Sequence, residues 1–228
     1  MKRIGLLGCG AIGTQIAIAI DTGIIQAQLT HIFDTDKKTA ENLLTKLKQK
    51  PIIVENVHLL SSNPVDLIVE AASQQAVSDN ALSILQNRRD LMVMSAGALL
   101  DESVFEIISD ACSEFKKTVY LPSGAISGVD AIKSARNELE SVTITTTKHP
   151  RSLKEAKVFE TSNLDIDNIS DETIIFEGTA SEAVRLFPKN VNVSALLSLA
   201  GLGSHETIVK VIANPNIDKN IHRIEASG

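Results

Sequence analysis

The chain has 228 residues, a formal net charge of −6, an isoelectric point near 5.4 and an aromatic content of 3%. An acidic balance with few stacking side chains excludes a general nucleic-acid surface. Two cysteines, Cys9 and Cys112, supply neither a disulfide framework nor a metal quartet. No apolar run reaches membrane-spanning length and none reads as a leader, so the expectation is a soluble, cytoplasmic protein with a full core and without metal, membrane or nucleic acid.

The first element is the apolar run Ile4 to Leu7, which breaks at Gly8-Cys9-Gly10-Ala11-Ile12-Gly13 into a helix running on to Ile20. That order is strand, tight turn, helix. Gly8 permits the turn, Gly10 lets the backbone approach a pyrophosphate, and Gly13 lets the helix pack close to its strand. The free N–H groups where the helix begins, at Ala11 and Ile12, then face the phosphates with the positive end of the helix dipole. Leu29 to Phe33 is a second strand ending on Asp34, about twenty residues past the third glycine, where an acidic side chain accepts from a ribose hydroxyl. Against this stands a bare strand-helix-strand start that binds nothing, with Asp34 an ordinary turn residue. The required context around the glycines favours the dinucleotide. Asp34 disfavours a 2′-phosphate, so NAD is preferred over NADP, and Lys37 and Lys38 soften that preference.

Farther along, Ala40, Leu43, Leu44 and Leu47 recur at helical spacing until Pro51 ends the helix, and Ile52 to Val54 is a short strand. After the turn Asn63-Pro64, the run Val65 to Ala72 has the density of a strand buried on both faces. A helix over 76–86, a strand over 91–94, the segment Ser95 to Ala98 at that strand's carboxyl end, a helix over 102–115 and a strand over 119–121 follow. Alternating strands and helices predict an α/β fold: a doubly wound parallel Rossmann sheet over residues 1–121. Pro122 to Gly128 suits a hinge or a backbone approach to a ligand, and both readings stand. Residues 122–228 are expected to form a second, α+β domain that takes the substrate. It carries a helix over 130–139, a β-branched strand over 142–147 and a polar surface excursion from Pro150 to Asp171. Next come a strand over 174–176, a helix capped by Thr179 or Ser181, an interruption at Phe187 to Asn192, and an apolar helix over 193–200. Strands over 207–213 and 220–226 end the chain.

A dinucleotide implies hydride transfer, so the proton-handling group is sought among five histidines. His31 lies inside a strand, His58 and His205 in polar connections, His149 ahead of Pro150 at a strand end, and His222 near the start of the last strand. His149 is a minor candidate and His222 lies in the domain expected to face the nicotinamide, but position alone makes any one histidine more often structural than catalytic. Lys148, Lys189 and Arg223 are candidates for substrate carboxylates by position alone.

The stretches Glu70 to Val77, Ser123 to Ile126, Phe176 to Ala183, Phe187 to Val193 and Asn220 to His222 occur in an order that resembles the L-aspartate dehydrogenase family. The resemblance implies oxidative deamination of L-aspartate with NAD or NADP, giving iminoaspartate, which hydrolyses to oxaloacetate and ammonia or feeds NAD biosynthesis. It implies that His222 is the active-site histidine, that Ala125 and the Asn190 to Asn192 segment contact the cofactor, and that the protein is a homodimer. It also implies a further strand and a C-terminal helix beyond Gly228, so a shortened second domain is expected. The rival readings are a related Rossmann dehydrogenase acting on aspartate semialdehyde, homoserine or dihydrodipicolinate, and a catalytically silent dinucleotide sensor.

Overall fold

The computed structural model describes residues 1–161, 164–187 and 191–228. The chain divides into two compact units, Met1–Pro122 and Ser123–Gly228.

The first unit runs β1 (Lys2–Leu7), α1 (Ala11–Asp21), β2 (Ala27–Phe33), α2 (Lys37–Lys46), β3 (Ile52–Ile53), α3 (Val57–Ser62) and β4 (Leu67–Glu70). It continues with α4 (Gln74–Gln86), β5 (Asp90–Val93), α5 (Glu102–Phe115) and β6 (Val119–Tyr120). All five pairings are parallel and the strand order is β3-β2-β1-β4-β5-β6. The order reverses between β1 and β4, so a crevice opens outside the carboxyl ends of those two strands. All four residues of β4 are buried, as its apolar density requires. Side-chain caps start the helices: Asp36 accepts from Lys38 N–H for α2, Ser73 from Ala76 N–H for α4, and Asp101 from Ser103 and Val104 N–H for α5.

Helix α3 corrects the expected polar connection around His58. The Asn56 side chain accepts from Leu59 N–H at 2.8 Å and starts a turn that buries Val57 and Leu60 and leaves His58 exposed. So short a helix shows too few repeats for its period to be read.

The second unit runs α6 (Val129–Ala135), β7 (Ser141–Lys148), α7 (Val158–Thr161), β8 (Thr173–Thr179), α8 (Ala180–Leu186), α9 (Asn192–Ala200), β9 (Ile208–Ala213) and β10 (Ile221–Ser227). Its sheet has the order β10-β7-β9-β8, with β7 and β9 parallel and the other pairs antiparallel. Along β7, Val142, Ile144, Thr146 and Lys148 are buried while the alternate residues are not. Of the two hydroxyls available to cap α8, Thr179 does so, in a reciprocal capping box with Glu182.

Two expectations change here. Helix α6 stops at Ala135 rather than Leu139, because the chain turns so that Glu140 N–H can donate to Ser227 O at 2.8 Å and lead into β7. The stretch after Pro150 is not wholly a surface excursion, since Leu153, Ala156 and Val158 are buried. Their spacing follows short irregular turns and matches neither helix nor strand period.

The tightest constraint in the first unit is where α1 meets β1. A Cβ added to Gly13 would lie 2.0 Å from the Gly8 carbonyl oxygen, so helix and turn are in backbone contact. Gly13→Ala should therefore destabilise the protein by about 1–3 kcal/mol, the usual cost of overpacking. A circular dichroism melt checks this, and an unchanged or raised melting temperature would contradict it.

Candidate active site

At the carboxyl end of β1, Gly8 takes a φ of +96°, and a Cβ there would meet the Ala71 carbonyl oxygen at 2.6 Å. Only glycine makes that turn against that neighbour. Gly8 N–H donates to Phe33 O at 2.8 Å and Thr14 Oγ1–H to Cys9 O at 3.1 Å, which ties the turn to β2 and to its own helix. Gly10 differs from the other two glycines: a Cβ there meets nothing within 4 Å. Gly10 is the N-cap of α1 and no side chain caps that helix, so its first N–H groups, beginning at Ala11 and Ile12, are left without a side-chain acceptor. Ile12 is 50% exposed at the same first turn, an apolar surface beside the open space. Open room, a helix start and a backbone turn fit a pyrophosphate.

Asp34 stands at the end of β2. Its Oδ2 accepts from Cys9 N–H at 2.7 Å and its Oδ1 from Asp36 N–H at 2.9 Å. The glycine turn itself thus orients the carboxylate, and each oxygen keeps acceptor capacity for a ribose hydroxyl. Lys37 and Lys38 are exposed, with Lys37 near Glu41 at 3.9 Å. Burial, followed by the neighbouring Asp34 charge, pushes the Cys9 thiol up to about 12, which makes it inert at neutral pH.

In the second unit, antiparallel pairing sets His222 opposite Thr146, and the Thr146 hydroxyl lies 3.0 Å from His222 Nδ1. Lys148 follows two residues later on the same face of β7, about 7 Å along the strand, and it is buried. A cavity of about 360 Å³ is lined by Ala125, Ile126, Ser127, Gly128, His222 and Ile224, among others. Of the sequence-predicted residues, His222 and Ala125 therefore meet at one cavity. Burial first, and the Lys148 ammonium second, hold the His222 imidazole below its ordinary pKa of 6.5. Burial likewise lowers Lys148.

Other candidates go elsewhere. Arg223 faces Thr145 on the opposite side of the sheet and pairs with Glu225 at 2.9 Å, so it is not gathered with His222. His149 Nδ1 accepts from Arg151 N–H at 3.1 Å, capping a short turn over Pro150–Ser152. His31 is buried in β2 beside Thr30, and His205 is exposed. Asn192 opens α9 and is half-buried, while Lys189 and Asn190 lie outside the described residues. Thr146 was not singled out by the sequence. Alternation along β7 puts it on the face of Lys148, but its pairing with a residue 76 positions away carries no local signal.

Among the described residues, no cluster of three His, Cys, Asp or Glu is placed to hold a metal ion. No helix among them is long and apolar enough to cross a membrane.

A parallel sheet of this order with a glycine turn and an aspartate held by that turn, in a chain that also carries a half-buried histidine of lowered pKa, fits an NAD(P)-dependent oxidoreductase. Residues 8–122 match the family model for the homoserine dehydrogenase NAD-binding domain, and residues 130–228 that for the aspartate dehydrogenase C-terminal domain. The L-aspartate dehydrogenase of Nitrosopumilus maritimus is 63% identical over all of this chain and 84% of its own length. That of Methanococcoides burtonii is 46% identical over all of this chain and 84% of its length. The crystal structure of aspartate dehydrogenase from Thermotoga maritima superposes with a TM-score of 0.79 at 28% identity, covering 100% of this chain and 85% of that one. The chain belongs to the L-aspartate dehydrogenase family.

Because the folded state holds His222 below its unfolded pKa, its contribution to stability is full above about 6.5 and is lost as pH falls from there through the folded value. Lys148→Met should raise the His222 pKa but leave it below 6.5, since burial, the larger cause, remains. Imidazole proton resonances followed against pH measure this; an unmoved or lowered value would contradict the assigned cause.

Proposed function

We propose that this chain oxidises L-aspartate with NAD as the preferred acceptor, releasing oxaloacetate and ammonia by way of iminoaspartate, and that His222 handles the proton. The observation that carries the reading is the Thr146–His222 pair, a buried hydroxyl beside a half-buried imidazole whose pKa is held below 6.5 at a cavity edge. Bound at the glycine turn, NAD supplies the hydride acceptor.

The chain's own residues supply the rest. When Nδ1–H donates to Thr146 Oγ1, Nε2 keeps its lone pair, which is the form a base requires. His222 then takes the proton that the substrate ammonium gives up as its C–N bond becomes double, and afterwards orients the water that adds to the imine. Lys148, on the same face, suits a substrate carboxylate. It also discourages protonation of the base beside it. Gly8, Gly10, Ala11, Ile12 and Gly13 bind the pyrophosphate, Asp34 the ribose, and Ala125, Asn190 and Asn192 other parts of the cofactor.

Homodimer formation and a cytoplasmic setting belong to the same proposal. For the first, support comes from the row Ile221, Thr147, Ile212 and Ile174, which crosses all four strands on one face and ends in two isoleucines exposed by 53% and 57%.

His222→Ala should lower turnover with L-aspartate by ~10²–10⁴ while NAD affinity stays near wild type. Wild-type activity should rise with pH through a midpoint below 6.5, as the imidazole becomes neutral. Reduced nicotinamide formed from L-aspartate, with homoserine as the comparison substrate, tests the reading directly. It fails if homoserine is the better substrate or if His222→Ala turns over normally.

Cofactor choice is a separate matter. Asp34→Ser should shift the affinity ratio toward NADP, because it removes the anion that a 2′-phosphate would meet. A wild type that binds NADP more tightly than NAD would contradict the role given to Asp34.

A further inference from the structure

Glu70 is the last residue of β4 and is 1% exposed. Four donors converge on its carboxylate. Oε1 accepts from Ala72 N–H at 2.8 Å and from Ser95 Oγ–H at 2.8 Å; Oε2 accepts from Ser95 N–H at 3.0 Å and from Met94 N–H at 3.2 Å. Two oxygens serving four donors is a demand that a carboxylate meets and a carboxamide does not, because an amide turns one acceptor into a donor. The groups it joins belong to the segments just past β4 and just past β5, at the carboxyl edge of the parallel sheet.

One of those segments is the surface against which the glycine turn closes. The space where Gly8 would carry a Cβ is filled by the Ala71 carbonyl at 2.6 Å and by the Ala72 Cβ at 2.8 Å, while Ala71 N–H donates to Leu7 O at 2.8 Å. The turn can be no better ordered than the Ala71–Ala72 backbone it leans on, and that backbone is held by Glu70.

We propose that Glu70 is a positioning residue for the dinucleotide site: its carboxylate locks the β4 and β5 ends together and so fixes the wall that shapes the glycine turn. This rests on reading the first unit as the NAD site. Glu70 does not touch the cofactor in this proposal; it acts through Ala71, Ala72 and Gly8. A purely structural role would lower stability and leave the affinity of each folded molecule unchanged. A positioning role weakens NAD in molecules that remain folded.

The test compares wild type, Glu70→Gln and a control, Ile108→Ala, which removes buried side chain from α5 and lowers stability without touching the Glu70 carboxylate or its four donors. NAD affinity is measured by calorimetry well below each melting temperature, amide hydrogen exchange is followed at Ala72 and Ser95, and KM for NAD is compared with kcat. Glu70→Gln should weaken NAD about tenfold and speed exchange at both amides, because the carboxamide has fewer acceptor sites for the N–H groups that the carboxylate holds. KM for NAD should rise with kcat at saturation nearly unchanged, and Ile108→Ala should bind NAD as wild type does. If Glu70→Gln does not fold, Ser95→Ala, which removes one of the four donors and keeps the carboxylate, should weaken NAD about threefold. Wild-type affinity in the folded Glu70 variant, or in Ser95→Ala should that variant not fold, would overturn the proposal, as would equal weakening in the Ile108 control. A wild type that does not bind NAD at all would instead strike down the underlying reading.

Discussion

Three stretches of backbone come together without room for a side chain: the end of β1, the start of α1 and the end of β4. A Cβ on Gly8 would sit 2.6 Å from the Ala71 carbonyl, and one on Gly13 would sit 2.0 Å from the Gly8 carbonyl. Contacts that close are open only to glycine, and they bring the α1 start, the β1 tip and the β4 tip to one place at the point where the strand order reverses. Gly10, by contrast, faces empty space. Two glycines are thus needed by the fold and the third by whatever occupies the site. The same turn donates the Cys9 N–H that orients Asp34, so the carboxylate past β2 and the open start of α1 share one piece of backbone.

The second unit achieves its chemistry by other means. Its sheet has one well-covered face, and along β7 that face carries two apolar residues followed by Thr146 and Lys148. Polar groups so placed must find partners or neutralise. Thr146 finds His222, and burial together with the Lys148 charge holds His222 neutral at pH values where an exposed imidazole would be partly protonated. An imidazole of lowered pKa therefore follows from strand register and desolvation.

Sequence and structure agree most closely where the determinants are local. The glycine spacing, the apolar density of β4 and the alternation along β7 are each patterns written within a few residues of sequence, and the elements that carry them were legible for that reason. Helix α3 was missed although Asn56 stood ready as its cap, because one and a half turns give no period to detect. Leu153, Ala156 and Val158 are buried by tertiary packing of irregular turns, which no periodicity announces. The candidate site was half legible. His222 and Ala125 came from family resemblance, and the structure lines one cavity with both. That Lys148 lies on the face of His222 depends on antiparallel register between strands far apart in the chain, whereas Arg223 leaves that face by alternation along β10.

The central claim is that the open space at Gly10 is where the dinucleotide's pyrophosphate lies. Gly10→Val examines it most directly, because a Cβ there has no protein atom within 4 Å, so the fold should stay intact while the side chain fills that space. Calorimetric titration with NAD, run beside a thermal melt, should show binding to wild type, none to the variant, and nearly equal melting temperatures. Equal NAD affinity in a folded Gly10→Val protein would contradict the account.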